Sequence, residues 1–351
     1  MLDHDAAVIA CDESGNDGEN VSGAVAKVLS HGSTTMTIGQ AHNLVTELRR
    51  RTGTQAPEMK AKQLLTPKNR AAAQWFLRQA IVRTQSLVAL LEKDYFLTCK
   101  LIDLTLEEHM HARGFDLHTI GDMGQVATWI HDLAPQVFGN RWTNTLETFN
   151  GLLRCTEQTQ SRVLLKALRG QLSDLAQRSV GLLADHVRLM YAGTRFLPGL
   201  NHLQTKSGTL ERFRTLDPLI CIFGLTVHHW SRVTGRELVI VHDRAKVLTQ
   251  TTVEILKVYL AAPELVSAAY AGRGVVVRDV VQVDSAGDPR VQIADLLAGI
   301  GRSVAEAAIA NDTHPLLEDL RPMIRPEAQF WGAGRSRALL DPQALAGISQ
   351  P

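Results

Sequence analysis

The sequence predicts an α/β domain that is interrupted by a long α-helical insertion. Short apolar runs that stop abruptly at acidic residues occur near both ends of the chain, and segments with helical spacing follow them. The middle of the chain shows helical patterns and few strand signals. We therefore expect residues 1–100 and 215–310 to form one discontinuous α/β core, with residues 101–214 as a helical insertion and residues 311–351 as a C-terminal extension.

The first part of the core is predicted to begin with a β-hairpin. The apolar run at 6–11 ends at Asp12, which is typical of a buried strand, and the turn-forming residues NDGEN lead into a second predicted strand at 21–29. Apolar residues at helical spacing then predict a helix over 67–83, and a third strand is expected at 86–96. The expected order is strand, strand, helix, strand.

The alternation of strands and helices resumes after the insertion. The same criteria predict, in order, a helix over 217–233, a strand over 236–242, a helix over 249–260, a strand over 275–284 and a helix over 292–310. Apolar residues of the last helix recur at i, i+3, i+4, i+7 and i+11, so one side of it should face the core. The residues after it are expected to be irregular, apart from a short helical pattern near 336–340.

The composition is that of a globular protein without a dominant charge. Hydrophobic residues make up 45% of the 351 residues and charged residues 21%, which is enough apolar side chain for a sizeable core. The 37 basic and 36 acidic residues leave a net charge of +1. This balance excludes a uniformly basic nucleic-acid coat and an acidic solvating tail, but it is compatible with a local basic surface.

We expect a cytoplasmic protein without a membrane-spanning segment. The four cysteines lie far apart and form no C-x-x-C pair, which disfavours a disulfide framework and a cysteine-rich zinc site. Acidic residues precede the N-terminal apolar run, unlike in a secretory signal. The longest apolar stretch, 219–227, is about half the length that a membrane span requires.

Three aspartates occupy positions where α/β enzymes place reactive groups. Asp12 ends the first strand, Asp243 ends a later strand, and Asp295 lies near the start of the last helix. Carboxylates that converge repel one another unless a divalent cation lies between them, and oxygen ligands suit Mg²⁺ or Mn²⁺. Such ions can activate a water and stabilise the leaving oxygen of a phosphodiester. The pattern therefore predicts a metal-dependent nuclease.

A basic stretch adds to this prediction. Between residues 49 and 83 there are nine basic residues and a single acid, Glu58, and this excess of positive charge would attract phosphate groups. Glu58 is a candidate metal ligand or water-orienting acid, and Lys60 is a candidate contact to the scissile phosphate. Lys62 and Gln292 are further candidates for contacts to the substrate, with Gln292 alternatively bonded to a ligand carboxylate.

Each candidate also has a structural interpretation. A strand-end aspartate often caps a turn or a helix, and Glu58 could be a solvated acid at a helix start. Zinc is disfavoured because the histidines at 109/111 and 228/229 lack the required i, i+4 spacing with a glutamate, and the chain has no Walker A or dinucleotide-binding motif. Two other functions stay open: a non-catalytic nucleic-acid-binding or assembly module, and hydrolysis of a small phosphorylated metabolite.

Four short motifs resemble those of a known family. These are DESG at 12–15, EMK at 58–60, VDS at 283–285 and QIADLLAG at 292–299. They resemble the motifs of proteins with "domain of unknown function 3800", which are regarded as having an RNase H-like fold. The motifs are spread over most of the chain as islands, and residues 100–215 match none of them.

The resemblance implies a five-stranded mixed sheet with an acidic, metal-binding centre. In this family the DESG and Q-x-A-D motifs would supply Asp12 and Asp295, and the E-x-K motif would supply Glu58. Asp243 fits an RNase H-like centre through its position at a strand end. The family's association with mobile elements or phage defence implies a nuclease that acts on DNA or RNA, and the helical insertion is a candidate surface for a protein partner.

Overall fold

The computed structural model describes residues 6–56, 58–117, 123–198, 217–262, 274–332 and 340. Helices flank a six-stranded mixed sheet, which confirms the predicted α/β class. The short helix predicted near 336–340 lies outside the described residues except for Leu340. Within the described ranges, no helix combines the length and the apolar character needed to cross a membrane.

The sheet places the ends of five strands along one edge. The strands are β1 (Ala7–Ser14), β2 (Val28–Thr34), β3 (Ser86–Glu92), β4 (Leu238–Asp243), β5 (Val277–Val283) and β6 (Ile324–Phe330). Their order across the sheet is β5-β4-β1-β2-β3-β6. β2 is antiparallel to both neighbours, whereas the pairs β1–β4, β4–β5 and β3–β6 are parallel. All strands except β2 therefore end at the same edge, called here the carboxyl edge.

The helices of the described ranges are distributed over both faces of the sheet. Before β3 they are α1 (Ile38–Thr52), α2 (Ala61–Leu64), α3 (Arg70–Leu77) and α4 (Ala80–Gln85). Between β3 and β4 they are α5 (Lys93–Leu101), α6 (Glu108–His111), α7 (Met123–Phe138), α8 (Asn140–Arg154), α9 (Gln158–Arg178), α10 (Gly181–Gly193) and α11 (Pro218–Thr234). The rest are α12 (Gln250–Ala261), α13 (Pro289–Ile309) and α14 (Leu317–Leu320).

Two helices cover opposite faces of the central strands. Because strand side chains alternate, Ala10 of β1 packs with Val291 of α13, whereas Cys11 joins the apolar cluster beneath α11. Asp12 consequently lies on the face of α13, and Glu13 lies on the face of α11. The functional candidates on this strand are thus divided between the two sides of the sheet.

The long helix α13 lies unusually close to β2. A Cβ atom on Gly32 would be 2.2 Å from the carbonyl oxygen of Ala294 and 2.9 Å from the amide nitrogen of Ala298. A Cβ atom on Gly299 would be 2.2 Å from Cβ of Ala61 in α2. The small residues that the sequence places along this helix therefore allow the close approach of backbone on both of its sides.

The helical character predicted for residues 101–214 is confirmed in the described part of that range. Helices α5 to α10 follow β3, and their apolar sides join the same core cluster as α11. Helix α5 continues through a π-helical segment, Ile102–Glu107, into α6. The insertion therefore shares a core with the sheet instead of standing apart from it.

The second strand of the predicted hairpin lies further along the chain than expected. The antiparallel β1–β2 pair is present, but β2 begins at Val28 and extends to Thr34, instead of spanning 21–29. The sequence VLSHGST looks too polar for an internal strand. All seven residues are nevertheless buried, and the side chains of His31, Ser33 and Thr34 find hydrogen-bond partners in other segments of the chain.

The C-terminal extension, predicted to be irregular, supplies an edge strand. β6 pairs in parallel with β3, so the sheet has six strands and the expected boundary of the core at residue 310 is wrong. The pattern was missed because Pro326 and the charged residues around it are untypical of a strand. A proline is tolerated there because β6 lies at the edge of the sheet.

Two helical segments also differ from the prediction. Helix α1 was not predicted, although Thr37 and Gln40 form a capping box at its start and Gly53 ends it with a left-handed φ of 68°. The helix expected over 67–83 is divided into a 3₁₀ turn, α3 and α4. The break is at Gln79, whose ψ of 131° is extended.

Candidate functional site

Three aspartates meet on the face of α13 at the carboxyl edge. Asp12 ends the buried part of β1, Asp243 ends β4, and Asp295 lies in the second turn of α13. Asp12 is only 5% exposed, and burial, together with the charges of Asp295, Glu13 and Asp243, raises its pKa to about 9. Burial and repulsion by the neighbouring carboxylates therefore disfavour the ionised form of Asp12.

Asp295 is short of hydrogen-bond donors. Its side chain is 15% exposed, and its Oδ2 atom is buried without a hydrogen bond, with Lys60 Nζ at an ion-pair distance of 3.4 Å. Burial raises the pKa of Asp295, and the charges of Glu58 and Asp243 add to this, whereas Lys60 acts in the opposite direction. Lys60 is thus the positive partner of Asp295 Oδ2, at an ion-pair distance and without a well-formed hydrogen bond.

Glu58 and Lys60 lie next to the aspartates. Lys60 Nζ is 2.5 Å from Glu58 Oε1, and Ser285 donates its hydroxyl to the same oxygen at 2.6 Å. Burial alone would raise the pKa of Glu58, but the hydrogen bonds from Lys60 and Ser285 lower it overall. Lys60 is the more exposed member of the ion pair, with 41% of its side chain accessible against 24% for Glu58.

Ser285 joins the two halves of the site, and its role was not predicted. Besides its hydroxyl contact to Glu58, its backbone N–H donates to Asp243 Oδ1 at 3.1 Å. Ser285 begins the 3₁₀ turn that follows β5, so it reaches the carboxyl edge from the neighbouring strand. Its signals in the sequence were its place at a strand end next to Asp284 and its membership of the VDS motif at 283–285.

The structure places Gln292 in a supporting position. Gln292 is 5% exposed, and its side-chain amide donates to the carbonyl of Ala286 at 3.4 Å, so it contacts the turn that carries Ser285. Its Oε1 atom is buried without a partner. Gln292 therefore contacts the turn that carries Ser285, and its contact to substrate or to a ligand carboxylate stays a prediction.

Four of the nine basic residues at 49–83 pair with acids that lie outside this stretch. Arg50 and Arg51 pair with Glu47, and Arg78 and Arg83 pair with Asp319 far along the chain. Three exposed cations near the site, Lys62, Lys68 and Arg70, have no ion pair with an acid of the described residues. We call these three residues the basic ridge.

The donor set suits a hard divalent cation in its chemistry and its charge. Asp12, Asp243, Asp295 and Glu58 offer carboxylate oxygens, and Lys60 is the cation in contact with Glu58 and Asp295. Among the described residues, no three or more histidine, cysteine, aspartate or glutamate side chains are grouped so that they could hold an ion as they stand. Binding would therefore require side-chain adjustment, including a shift of Lys60 away from Asp295.

Searches with protein-family models, against curated proteins and against solved structures found no match to this chain. The resemblance to the "domain of unknown function 3800" proteins therefore stays an expectation that rests on the four motifs. A function for the protein has to be argued from the chemistry of the carboxyl edge.

Proposed function

We propose that the protein is a metal-dependent phosphodiesterase with an RNase H-like core, most consistent with a nuclease. The observation that carries this proposal is that Asp12, Asp243 and Asp295 come from three separate elements and lie close enough to interact electrostatically, so that burial and the neighbouring carboxylates raise the pKa of Asp12. A mixed sheet with acids at its carboxyl edge is also what the motif resemblance implies.

Mg²⁺ or Mn²⁺ would be held by Asp12, Asp243 and Asp295, with Glu58 as a further ligand or as the acid that orients the attacking water. When bound, the ion supplies Lewis acidity and lowers the pKa of a water molecule. Ser285 fixes the relative positions of Glu58 and Asp243 by donating one hydrogen bond to each. Lys60 is the more exposed member of its ion pair and would contact the scissile phosphate.

The proposal is tested by incubating the purified protein with labelled single- and double-stranded DNA and RNA. Mn²⁺, Mg²⁺ or a chelator is added, and the Asp12→Ala and Asp295→Ala variants are assayed in parallel. We expect cleavage that requires metal and falls to the chelator background in both variants, because each variant removes a proposed ligand. Full activity in either variant would contradict the proposal.

A different result would favour one of the other functions. Absence of cleavage together with salt-sensitive binding in both the wild type and Asp12→Ala would favour a non-catalytic nucleic-acid-binding module. Turnover of small phosphorylated compounds without polymer cleavage would favour a metabolite hydrolase. A panel of mono- and diesters added to the same assay distinguishes these outcomes.

The basic ridge supports a polymeric substrate. Lys62 lies on the short helix α2, Lys68 in the 3₁₀ turn that precedes α3, and Arg70 at the start of α3, so exposed positive charge continues along the chain after Lys60. A small phosphorylated metabolite would need only the cation at the centre. Phosphates flanking the scissile bond of a nucleic acid would instead contact the ridge.

Removing two ridge lysines is expected to weaken nucleic-acid binding and its dependence on salt. In a Lys62→Ala/Lys68→Ala double variant, the slope of log K against log salt should fall by about two, because two phosphate contacts are lost. Fluorescence polarisation in the presence of a chelator measures this slope. The matched control, Arg162→Ala/Lys166→Ala, removes two exposed charges from α9 and should leave the slope unchanged. Equal slopes in all three proteins would exclude the basic ridge as a surface that binds nucleic acid.

A further inference from the structure

The face of the sheet opposite the three aspartates holds a chain of buried polar side chains. The chain ends at the backbone carbonyl of Asp243. Thr226 of α11, His31 of β2 and His242 of β4 are each 0% exposed. β1 separates the two histidine-bearing strands, with His31 paired to Glu13 and His242 paired to Cys11. The two imidazole rings meet across β1 with their centroids 5.2 Å apart and their planes 23° from parallel.

Three short contacts connect these groups in sequence. Thr226 Oγ1 is 2.8 Å from His31 Nδ1, and His31 Nε2 is 3.1 Å from His242 Nε2. His242 Nδ1 is 2.7 Å from the backbone carbonyl oxygen of Asp243. Every nitrogen of both rings therefore has one partner, which is what buried histidines require.

The direction of each hydrogen bond follows from the last contact. A carbonyl oxygen can only accept, so His242 carries a proton on Nδ1, and in the neutral ring its Nε2 is an acceptor. His31 must then donate from Nε2, and its Nδ1 accepts the hydroxyl proton of Thr226. Burial and the neighbouring His242 lower the pKa of His31 well below its ordinary value, which agrees with a single proton on that ring.

A competing acceptor does not change this assignment. The Thr226 hydroxyl is also 3.1 Å from the carbonyl oxygen of Ile222. If its one proton went there, His31 would have to donate from Nδ1, and two unprotonated nitrogens would face each other at 3.1 Å. That arrangement is repulsive while His242 is neutral. His242 Nε2 also lies 3.7 Å from Glu13 Oε2, and a second proton on His242 would reverse the bonds from Thr226 to His31 and from His31 to His242 but leave the bond to Asp243 in place.

We propose that Thr226, His31 and His242 form a hydrogen-bond chain that positions Asp243, with His242 as the residue that holds it. The bond from His242 fixes the carbonyl of the last residue of β4, and thereby the peptide plane that directs the Asp243 side chain to the other face. There its Oδ1 accepts from the backbone N–H of Ser285 at 3.1 Å. The effect on metal binding rests on the proposed function, whereas the positioning itself does not.

The first test determines the tautomers of the two histidines and needs no activity measurement. Long-range ¹⁵N–¹H NMR spectra distinguish histidine tautomers, and we expect the Nδ1–H form for His242 and the Nε2–H form for His31. In Thr226→Val, which keeps the shape but lacks the hydroxyl, His31 should lose its single tautomer. An Nε2–H tautomer at His242 in the wild type would overturn the proposal.

The second test measures the position of Asp243 through the Ser285 amide. In His242→Phe, exchange of the Ser285 N–H with deuterium should become about tenfold faster or more, because its acceptor is no longer held, and Mn²⁺ affinity should fall by about 10–100-fold. His242→Asn offers a donor near the Nδ1 position and should restore both. Unchanged Ser285 exchange in His242→Phe would overturn the proposal.

A control on the same face separates positioning from general stability. Ser33 accepts a hydrogen bond from Trp230 Nε1 at 2.8 Å and is equally buried, but it lies outside the chain. Ser33→Ala should lower the thermal stability and leave both Ser285 exchange and Mn²⁺ affinity unchanged. If the wild type binds no Mn²⁺ while Ser285 exchange still responds to His242→Phe, the positioning chain is supported and the proposed function is contradicted.

Discussion

Replacing Asp12 by asparagine is expected to stabilise the metal-free protein while abolishing metal-dependent cleavage. Asparagine keeps the oxygen that accepts the N–H of Glu13 at 2.7 Å, and it removes a carboxylate that is buried beside three other acids. The same substitution removes a proposed metal ligand. Stability and activity should therefore change in opposite directions, as is common where an active centre collects unfavourable charge.

The stabilisation should depend on pH in a defined direction. The folded protein raises the pKa of Asp12 from 3.8 to about 9, so over this interval it retains a proton that the unfolded chain has already lost. The free energy of unfolding therefore falls as the pH rises from about 4 towards 9. Asp12→Asn lacks this contribution, so its advantage should be absent near pH 4 and largest near pH 8.

Thermal unfolding with a chelator between pH 4.5 and 8.5 measures this effect. Because the acids titrate together, we expect an advantage of about 2 kcal/mol at pH 8, less than the shift of one isolated group would give. Asp185→Asn is a suitable control because Asp185 is largely exposed on α10. Added Mn²⁺ should stabilise the wild type more than Asp12→Asn. A variant that is less stable than the wild type at every pH would contradict the electrostatic description of the site.

Adding a methyl group at Gly32 is expected to displace the helix that carries Asp295 and so disrupt the site. The Cβ atom of Gly32→Ala would lie 2.2 Å from the carbonyl oxygen of Ala294, which belongs to the backbone of α13 and cannot rotate away. The helix would have to move off β2 and take Asp295 with it. Overpacking of this kind should destabilise the protein by about 3 kcal/mol.

A glycine-to-alanine substitution in an exposed helix should instead stabilise the protein. Gly170 lies within α9 and is exposed, and a Cβ atom added to it would have no atom within 4 Å, so Gly170→Ala should stabilise the protein by about 0.5–1 kcal/mol. Chemical denaturation compares the two variants, and Mn²⁺ titration reports the displacement of Asp295. Wild-type stability and Mn²⁺ affinity in Gly32→Ala would show that α13 is not held by this contact.

The elements that were predicted correctly have signals within a few residues of one another. The apolar positions of α13 recur at helical spacing, and Ile293, Leu296 and Ile300 are indeed in the core. Asp12 and Asp243 were recognisable because an apolar run stops at each of them. A site at the carboxyl edge could thus be predicted from local pattern and the general rule for α/β sheets.

The features that were missed depend on contacts between distant segments. β2 reads as polar because His31 and Ser33 are satisfied only by residues about 200 positions away, Thr226 and Trp230. The charge of Arg78 is cancelled by Asp319, so counting nearby acids overestimated the basic surface. Helix α1 is different, since its capping box was present in the sequence and could have been used.

The parallel pairing of β1 with β4 has a consequence for synthesis of the protein. Ala7 is the register partner of Leu238, and Asp295 comes later still, so the three aspartates cannot meet until most of the chain has left the ribosome. Contacts of such long sequence separation also form slowly. If the protein is a nuclease, its nascent chain is harmless to the messenger RNA and the ribosome that produce it until Asp295 has emerged and joined the other two aspartates.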